Sequence, residues 1–385
     1  MLRITDFLRE SIGKGVNGGG AVDTGTMDAG VKPPVVVCIW NLTNYCNLSC
    51  RHCYSSAKTL TDQTDTGNAE MNALTLSEIM TIIPSLYDNG IRCVILSGGE
   101  PLLREDIFDI AQELKDAGIM TALSTNGLLI NEGLKDKITR CFDYVGVSID
   151  GLPQVHDSFR GLSGAYGRSI DALRMCMDWG LDVGLRFTLS QATYGSLGHI
   201  FDVVERQQFP KLYISHLVYS GRGGMLEDLD KATYRSAVEY IIQKTLSYIE
   251  RDINVKVITG NNDSTAVALL DIVRQRYSTP AYDALYDRLR RWGGNQAAVA
   301  LVNIGYKGDV KADPFYREVA GNIRQRDFGD IWNNSPFFKQ LRQTPRKLKG
   351  RCGGCRYIDI CNGNSRARAF SIHGDYYAED PACIL

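Results

Sequence analysis

Asn44-Tyr45-Cys46-Asn47-Leu48-Ser49-Cys50-Arg51-His52-Cys53 places three thiols within eight residues, spaced C-x3-C-x2-C, just after an apolar run of strand length, Val35 to Trp40. Three thiolates this close imply a metal site. Structural zinc is usually closed by a fourth Cys or His at a comparably short spacing. An iron-sulfur cube held by three thiolates instead keeps one iron open to an exchangeable ligand. His52, wedged between Arg51 and Cys53 on a tight loop, is badly placed to reach the same metal, so the open cube is the stronger reading and a zinc knuckle the weaker.

Working outward from that loop, apolar runs alternate with amphipathic segments of helical length. The strands expected are Val35 to Trp40, Cys93 to Leu96, Met120 to Ser124, Tyr144 to Ile149, Val183 to Leu189 and Leu212 to Leu217. Six β-α repeats fall short of a full eightfold barrel. The fold predicted is therefore α/β, a partial (β/α)6 barrel of TIM type with its chemistry at the carboxyl ends of the strands. Beyond the sixth strand the repeat is expected to stop. A long helix, Asp230 to Glu250, a short strand, Val255 to Ile258, helices near Ala266 to Arg276 and Ala281 to Trp292, and a hairpin around Tyr306-Lys307-Gly308 then lead into a second small domain. Residues 1 to 12 read as a short amphipathic helix with Ile4, Phe7, Leu8 and Ile12 on one side, and Gly13 to Gly30, with seven glycines, as a flexible linker. The expected divisions are 1–34 (helix and linker), 35–225 (core), 226–297 (helical bridge) and 298–385 (tail domain).

Composition bounds the function. The chain of 385 residues with 44% hydrophobic content can fill an extended core. A formal net charge of −1, without a basic run, argues against nucleic acid as a partner. Small molecules or proteins are expected instead. Of eleven Cys, seven fall into two ligand-like groups rather than spreading as a disulfide framework, and Met1-Leu2-Arg3-Ile4 opens no secretory run. The expectation is a reduced cytoplasm, with no apolar run long enough to span a membrane.

The cysteine loop, with an aromatic residue just before its last Cys, resembles that of the radical S-adenosylmethionine (SAM) enzymes. Ser97-Gly98-Gly99-Glu100-Pro101, after the second strand, resembles their SAM-binding loop in both sequence and place. The resemblance implies a [4Fe-4S] cluster on Cys46, Cys50 and Cys53 whose open iron binds SAM, and reductive cleavage of SAM to a 5′-deoxyadenosyl radical. It further implies that Gly98, Gly99, Glu100 and Pro101 hold the methionine end of SAM and that Arg186 meets its ribose and carboxylate. His52, Ser124, Asn126, Ser148 and Asp150, in the loop and at the ends of the third and fourth strands, are expected around the same cofactor. A reduced ferredoxin or flavodoxin is the electron donor expected.

Cys352, Cys355 and Cys361, spaced C-x2-C-x5-C, and Cys383 near the end form the second set. A closed zinc ribbon is one reading of four such thiols. Following a radical SAM core, they resemble the SPASM and Twitch auxiliary-cluster domains, which implies one further [4Fe-4S] cluster. Cys38, Cys93, Cys141 and Cys176 sit in apolar segments and read as small core residues.

Val145 to Gly151, Val183 to Thr188, Ser215-His216-Leu217 with Tyr219 to Gly223, Thr259 to Asp263 and Ala378 to Cys383 narrow the resemblance to the radical SAM enzymes that remodel tetrapyrroles, in particular those of haem d1 biosynthesis. It implies removal of two propionates from 12,18-didecarboxysirohaem. Acetate removal from the same ring, a peptide-modifying maturase and a non-enzymatic iron-sulfur carrier or scaffold are the alternatives. The pattern departs at Lys311-Ala312-Asp313-Pro314-Phe315-Tyr316, where the family usually has His-Pro-Asp before its aromatics. A ring fringed with carboxylates needs fixed cations, for which Arg222, Arg160, Lys311, Arg366 and Arg368 are candidates. His216 and Arg222, at and after the end of the sixth strand, are expected to face the substrate.

Overall fold

The computed structural model describes residues 1–14, 36–59 and 72–385. The Gly-rich stretch beyond Lys14, read as a linker, therefore lies almost wholly outside the described residues. The strands, in chain order, begin with β1 (Leu2–Arg3), β2 (Val36–Asn41) and a two-stranded pair, β3 (Tyr45–Cys46) and β4 (Lys58–Thr59). Then follow β5 (Ile91–Ser97), β6 (Met120–Thr125), β7 (Tyr144–Ser148), β8 (Asp182–Leu189), β9 (Lys211–His216) and β10 (Lys256–Gly260). The tail domain adds β11 (Leu301–Ile304), β12 (Asp309–Lys311) and β13 (Gly321–Asn322).

All except β3 and β4 join one sheet in the order β1-β10-β9-β8-β7-β6-β5-β2-β11-β12-β13. The six expected parallel strands, β2 and β5 to β9, stand side by side as the barrel wall. The repeat nevertheless does not stop at the sixth strand. β10 pairs parallel with β9, Val257 opposite Leu212, and β11 pairs parallel with β2, Val302 opposite Cys38. The sequence hid this because the crossover into β10 is long, with a 20-residue helix, Lys231–Glu250, in place of the shorter helices of the repeat.

Alternation along the strands turns one face inward and the other outward. Trp40, Val94, Leu96, Leu123, Val145, Leu185, Phe187 and Ile214 are buried in the layer between sheet and helices. Their neighbours Ser97, Ser124, Arg186, Tyr213 and Ser215 face the lumen. The core is thus a sleeve around the barrel, which leaves the lumen for chemistry. At the amino end the expected helix forms as Ile4–Ser11 and buries Ile4, Phe7 and Leu8, while β1 pairs antiparallel with β10. The helix Leu76–Asp88 opens with a capping box between Thr75 and Glu78. Glu78 is also gripped by Arg324 at 2.7 Å, which ties the barrel to the tail domain.

Candidate active site

The cysteine loop lies across the carboxyl end of the barrel. Cys46 and Cys50 are buried and Cys53 partly so, and all three line a cavity of about 170 Å³ with Gly98, Gly99, Asn126 and Arg186. The two glycines have a reason beyond room for a ligand. A Cβ on Gly98, at φ +140°, would fall 2.6 Å from the Thr43 carbonyl oxygen, and one on Gly99 only 1.9 Å from that of Tyr45. Their absence lets the Gly99 and Glu100 amides donate to those same carbonyls at 2.9 and 2.8 Å. The loop after β5 is thereby stitched to the residues that open the cysteine loop.

Glu100 reinforces that join from behind. Its buried carboxyl accepts from the Leu102 amide (3.2 Å), the Thr125 hydroxyl (2.7 Å) and the Asn126 amide (2.9 Å). Burial lifts its pKa to about 7 against the pull of these donors. Glu100, Pro101 and Asp150 stand behind the cavity wall, while His52, Gly98, Gly99, Ser124, Asn126, Ser148, Arg186, His216 and Arg222 are on it. Asp150 receives Arg160 Nε at 2.7 Å and the Thr188 amide at 3.0 Å. Burial works to raise its carboxyl, yet Arg160 holds it below the usual range. His52 stacks on Phe159, with ring centres 4.5 Å apart, and burial lowers its pKa to about 4, so the ring is neutral.

The expected substrate cations are largely engaged within the protein. Arg222 donates from Nε to the Cys50 carbonyl and from Nη1 to the Ala57 carbonyl, both at 2.9 Å, and its amide donates to the Cys53 carbonyl at 2.9 Å. It braces the cysteine loop and leaves only Nη2 unpartnered. Arg160 is held between Asp150 and Cys50, with Nη1 3.6 Å from the Cys50 sulfur. Arg366 and Arg368 are wholly buried. Arg366 donates to the Tyr376 and Ala378 carbonyls, and Arg368 holds Asp380 while donating to the carbonyls of Leu217 (2.6 Å) and Asn261 (2.8 Å). Lys311, on β12, lines neither this cavity nor the lumen. His216 lines the cavity but packs on Tyr234, with ring centres 4.4 Å apart; burial keeps it neutral and both its ring nitrogens lack a partner.

Sequence reasoning missed the lumen itself. Through Tyr54, Ser97, Ser124, Arg186, Tyr213, Ser215 and Phe315 the thiol cavity shares its wall with a second cavity of about 240 Å³ that runs down the barrel. Val37, Ile39, Ile95, Met120 and Ala122 give it apolar sides, and Asn261, Asp263 and Asp313 a polar mouth beside Phe315. Arg186 lies over the Tyr213 ring at 5.1 Å. Lys211 lies over that of Tyr144 at 4.1 Å, and burial lowers its pKa to about 8. At the mouth, burial raises the Asp313 carboxyl to about 7 and also lifts that of Asp263. Strand alternation was the signal available: Lys211, Tyr213 and Ser215 share one face of β9.

The four tail thiols also come together. Cys352 and Cys361 are buried, Cys355 and Cys383 partly so, and the Cys355 amide donates to the Cys352 carbonyl at 3.3 Å. Ionisation of Cys352 or Cys383 would raise the Cys361 pKa further, which puts the three in one neighbourhood. Arg368, held by Asp380 at 2.8 Å, fastens this segment to the barrel top through the Leu217 and Asn261 carbonyls, as does the Asn262 side chain, donating to the Ala382 carbonyl at 3.0 Å.

Both sets suit a group that brings positive charge. Burial pushes the Cys46 and Cys361 thiols up to about 12 and raises Cys50, although Arg160 pulls the last back. Left alone these thiols stay protonated, so the thiolates that ligate metal form only when the metal's charge replaces the lost solvation. Among the described residues no three His, Cys, Asp or Glu converge on one point as around a single ion. The first set is brought together by the cavity that Cys46, Cys50 and Cys53 all line.

Comparison with known proteins agrees with this geometry. Residues 40–198 match the model of the radical SAM superfamily, and residues 299–356 that of the SPASM iron-sulfur cluster-binding domain. The chain is 38% identical over 365 residues to the pre-heme d1 synthase of Dinoroseobacter shibae, covering 92% of this chain and 87% of that protein. This chain belongs to the radical SAM superfamily. As a radical SAM enzyme with a SPASM domain it uses a [4Fe-4S] cluster, SAM and an auxiliary iron-sulfur cluster. It is also 34% identical to the Fe-coproporphyrin III synthase of Methanosarcina barkeri, over 92% of this chain and 88% of that one. In fold it is similar to Streptococcus suis SuiB bound to S-adenosylmethionine, with a TM-score of 0.69 at 18% identity, covering 91% of this chain and 77% of that one. Among the described residues no helix of this radical SAM enzyme is long and apolar enough to cross a membrane.

Proposed function

We propose that this radical SAM enzyme removes the two propionates of 12,18-didecarboxysirohaem, a step toward haem d1. In this reading Cys46, Cys50 and Cys53 hold the SAM-binding cluster, and Cys352, Cys355, Cys361 and Cys383 the auxiliary one. When bound, the first cluster and SAM supply a 5′-deoxyadenosyl radical able to take a hydrogen atom from an unactivated carbon. The chain's own residues do the rest. Gly98, Gly99, Ser124, Asn126, Ser148 and Arg186 orient SAM along the cavity wall, and Glu100 and Asp150 hold that wall from behind. Neutral His52 closes the loop side without adding charge, and neutral His216 offers two free ring nitrogens to whatever enters.

The observation that carries the reading is the lumen. Its apolar sides suit a flat ring, and Arg186 and Lys211, both half-buried on its wall, are cations able to receive carboxylates that would otherwise be left unpaired. The likeness in sequence to pre-heme d1 synthase supports it. A reduced ferredoxin or flavodoxin is the proposed electron donor.

The test is anaerobic incubation of the iron-loaded enzyme with SAM, reductant and didecarboxysirohaem, followed by mass spectrometry of the ring. Loss of two propionates supports the proposal. Loss of acetates moves the assignment to Fe-coproporphyrin III formation. An unchanged ring, with SAM cleaved only when a peptide is present, overturns the tetrapyrrole reading.

A further inference from the structure

Between Asp330 and Asp359 the chain carries seven Lys or Arg and no acidic residue. The net charge of −1 hides this basic stretch, which corrects the reading of a chain without one. Lys347, Lys349, Arg351 and Arg356 are exposed and bracket Cys352 and Cys355. Between those thiols lie Gly353 and Gly354, both exposed, and nothing stands within 4 Å of where a Cβ on Gly354 would be. Cys355 itself is partly exposed.

Two of the four cations are balanced locally, Lys349 by Asp375 at 2.6 Å and Arg351 by Glu379 at 2.8 Å. Arg356 lies over the Tyr357 ring at 4.7 Å, and among the described residues neither it nor Lys347 is paired with an acid. The first thiol set has a different setting. Its adjacent cations Arg160 and Arg222 are turned inward onto Cys50 and backbone carbonyls, leaving Arg51 as the exposed cation of that loop.

We propose that Lys347, Lys349, Arg351 and Arg356, around the bare Gly353-Gly354 surface, form the docking site for a small acidic one-electron carrier protein above the tail thiols. Clustered exposed cations steer an acidic partner and set its orientation. Glycines without side chains let the partner's redox centre approach the thiols closely. The inference rests on the reading that Cys352, Cys355, Cys361 and Cys383 hold the auxiliary cluster, and iron analysis tests that separately.

The experiment titrates the iron-loaded protein, under anaerobic conditions, with an acidic flavodoxin and with an acidic [2Fe-2S] ferredoxin. Binding should weaken roughly tenfold or more as salt is raised from low to physiological strength. Lys347→Glu combined with Arg356→Glu should weaken it roughly tenfold again at low salt. Iron content, circular dichroism and dithionite-driven SAM cleavage should stay unchanged in that variant, and Arg51→Glu should leave the affinity within about twofold. An unchanged affinity in the double variant, or loss of binding in Arg51→Glu instead, overturns the proposal. So does tighter, variant-sensitive binding of heparin or anionic vesicles where neither carrier binds. If the tail Cys→Ala variants retain all their iron, it is the cluster assignment that fails, whatever the docking result.

Discussion

The two thiol sets are secured by different mixtures of hydrogen bonds and buried charge. The Cys46–Cys53 loop is held from many directions by ordinary hydrogen bonds, from Arg222, from the Gly99 and Glu100 amides, and from Asn126, whose side chain reaches Asn47 at 2.7 Å. The tail set is held by hydrogen bonds as well, among them the Asp263 amide to Asn364 at 2.6 Å and Asn262 to the Ala382 carbonyl, and adds the ion pair Arg368–Asp380, with both side chains 0% exposed. A loop held by many weak bonds loses position gradually as they are removed. A buried charge pair fails abruptly, because removing one partner strands the other charge out of water.

The largest test of that contrast removes the thiols themselves. Cys46, Cys50 and Cys53→Ala should abolish SAM cleavage and lower iron from about eight to about four per chain. Cys352, Cys355 and Cys361→Ala should lower iron equally, leave some SAM cleavage and abolish product. Equal loss of cleavage in both would mean that the tail set serves the fold rather than the reaction, so solubility and circular dichroism are measured alongside.

Arg368→Met should destabilise the fold by about 3–5 kcal/mol, whereas Arg368→Met with Asp380→Leu should recover most of it, because no lone buried charge remains. Thermal melting of iron-loaded protein reads the difference. If the single and double variants melt together, the ion pair is not what fastens the tail.

Arg222→Ala removes two charged-group hydrogen bonds, worth about 1.5–3 kcal/mol each, from the cysteine loop. Iron at the first set should drop in part, and SAM cleavage with it, while tail iron is retained. Should iron and SAM cleavage both persist and only ring binding weaken, Arg222 is a substrate cation after all and the bracing role is wrong.

The smallest effect is on pH. Burial raises the Asp313 carboxyl to about 7, above its unfolded value, so the folded state favours the protonated form. Its contribution to stability is full below the ordinary carboxylate range and is lost as pH rises toward about 7. Glu100, also lifted to about 7 by burial, has the same sign. Asp313→Asn should therefore flatten the fall in melting temperature across that window, and an unchanged slope would place the titration on Glu100 or Asp263 instead.

How much of this was legible beforehand depends on range. The spacing of Cys46, Cys50 and Cys53, the Gly98-Gly99 pair and the strand-length runs are local patterns, and local patterns are written in the chain. The seventh and eighth parallel strands, β10 and β11, were not legible as sheet members, because their partners β9 and β2 lie 45 and 264 residues away at Leu212 and Val257, and at Cys38 and Val302. Cations misled for a related reason. A sequence shows that Arg160, Arg222, Arg366 and Arg368 exist, but a guanidinium takes its meaning from whichever carbonyl or carboxylate the fold brings to it.

The sequence by itself determined the chemistry this chain can carry: two thiol sets, a glycine pair beside the first, and enough alternating strands for an open parallel barrel. Those features follow from residue type and spacing, which act over a few residues. Only the tertiary structure decided which side chains were left over for that chemistry. Hydrogen bonds to backbone carbonyls turned Arg222 and Arg368 into braces, and the closing strands opened a lumen lined by Arg186, Lys211 and Asp313. Desolvation and hydrogen-bond satisfaction act between whatever surfaces meet in space, and the chain order does not state which surfaces those are.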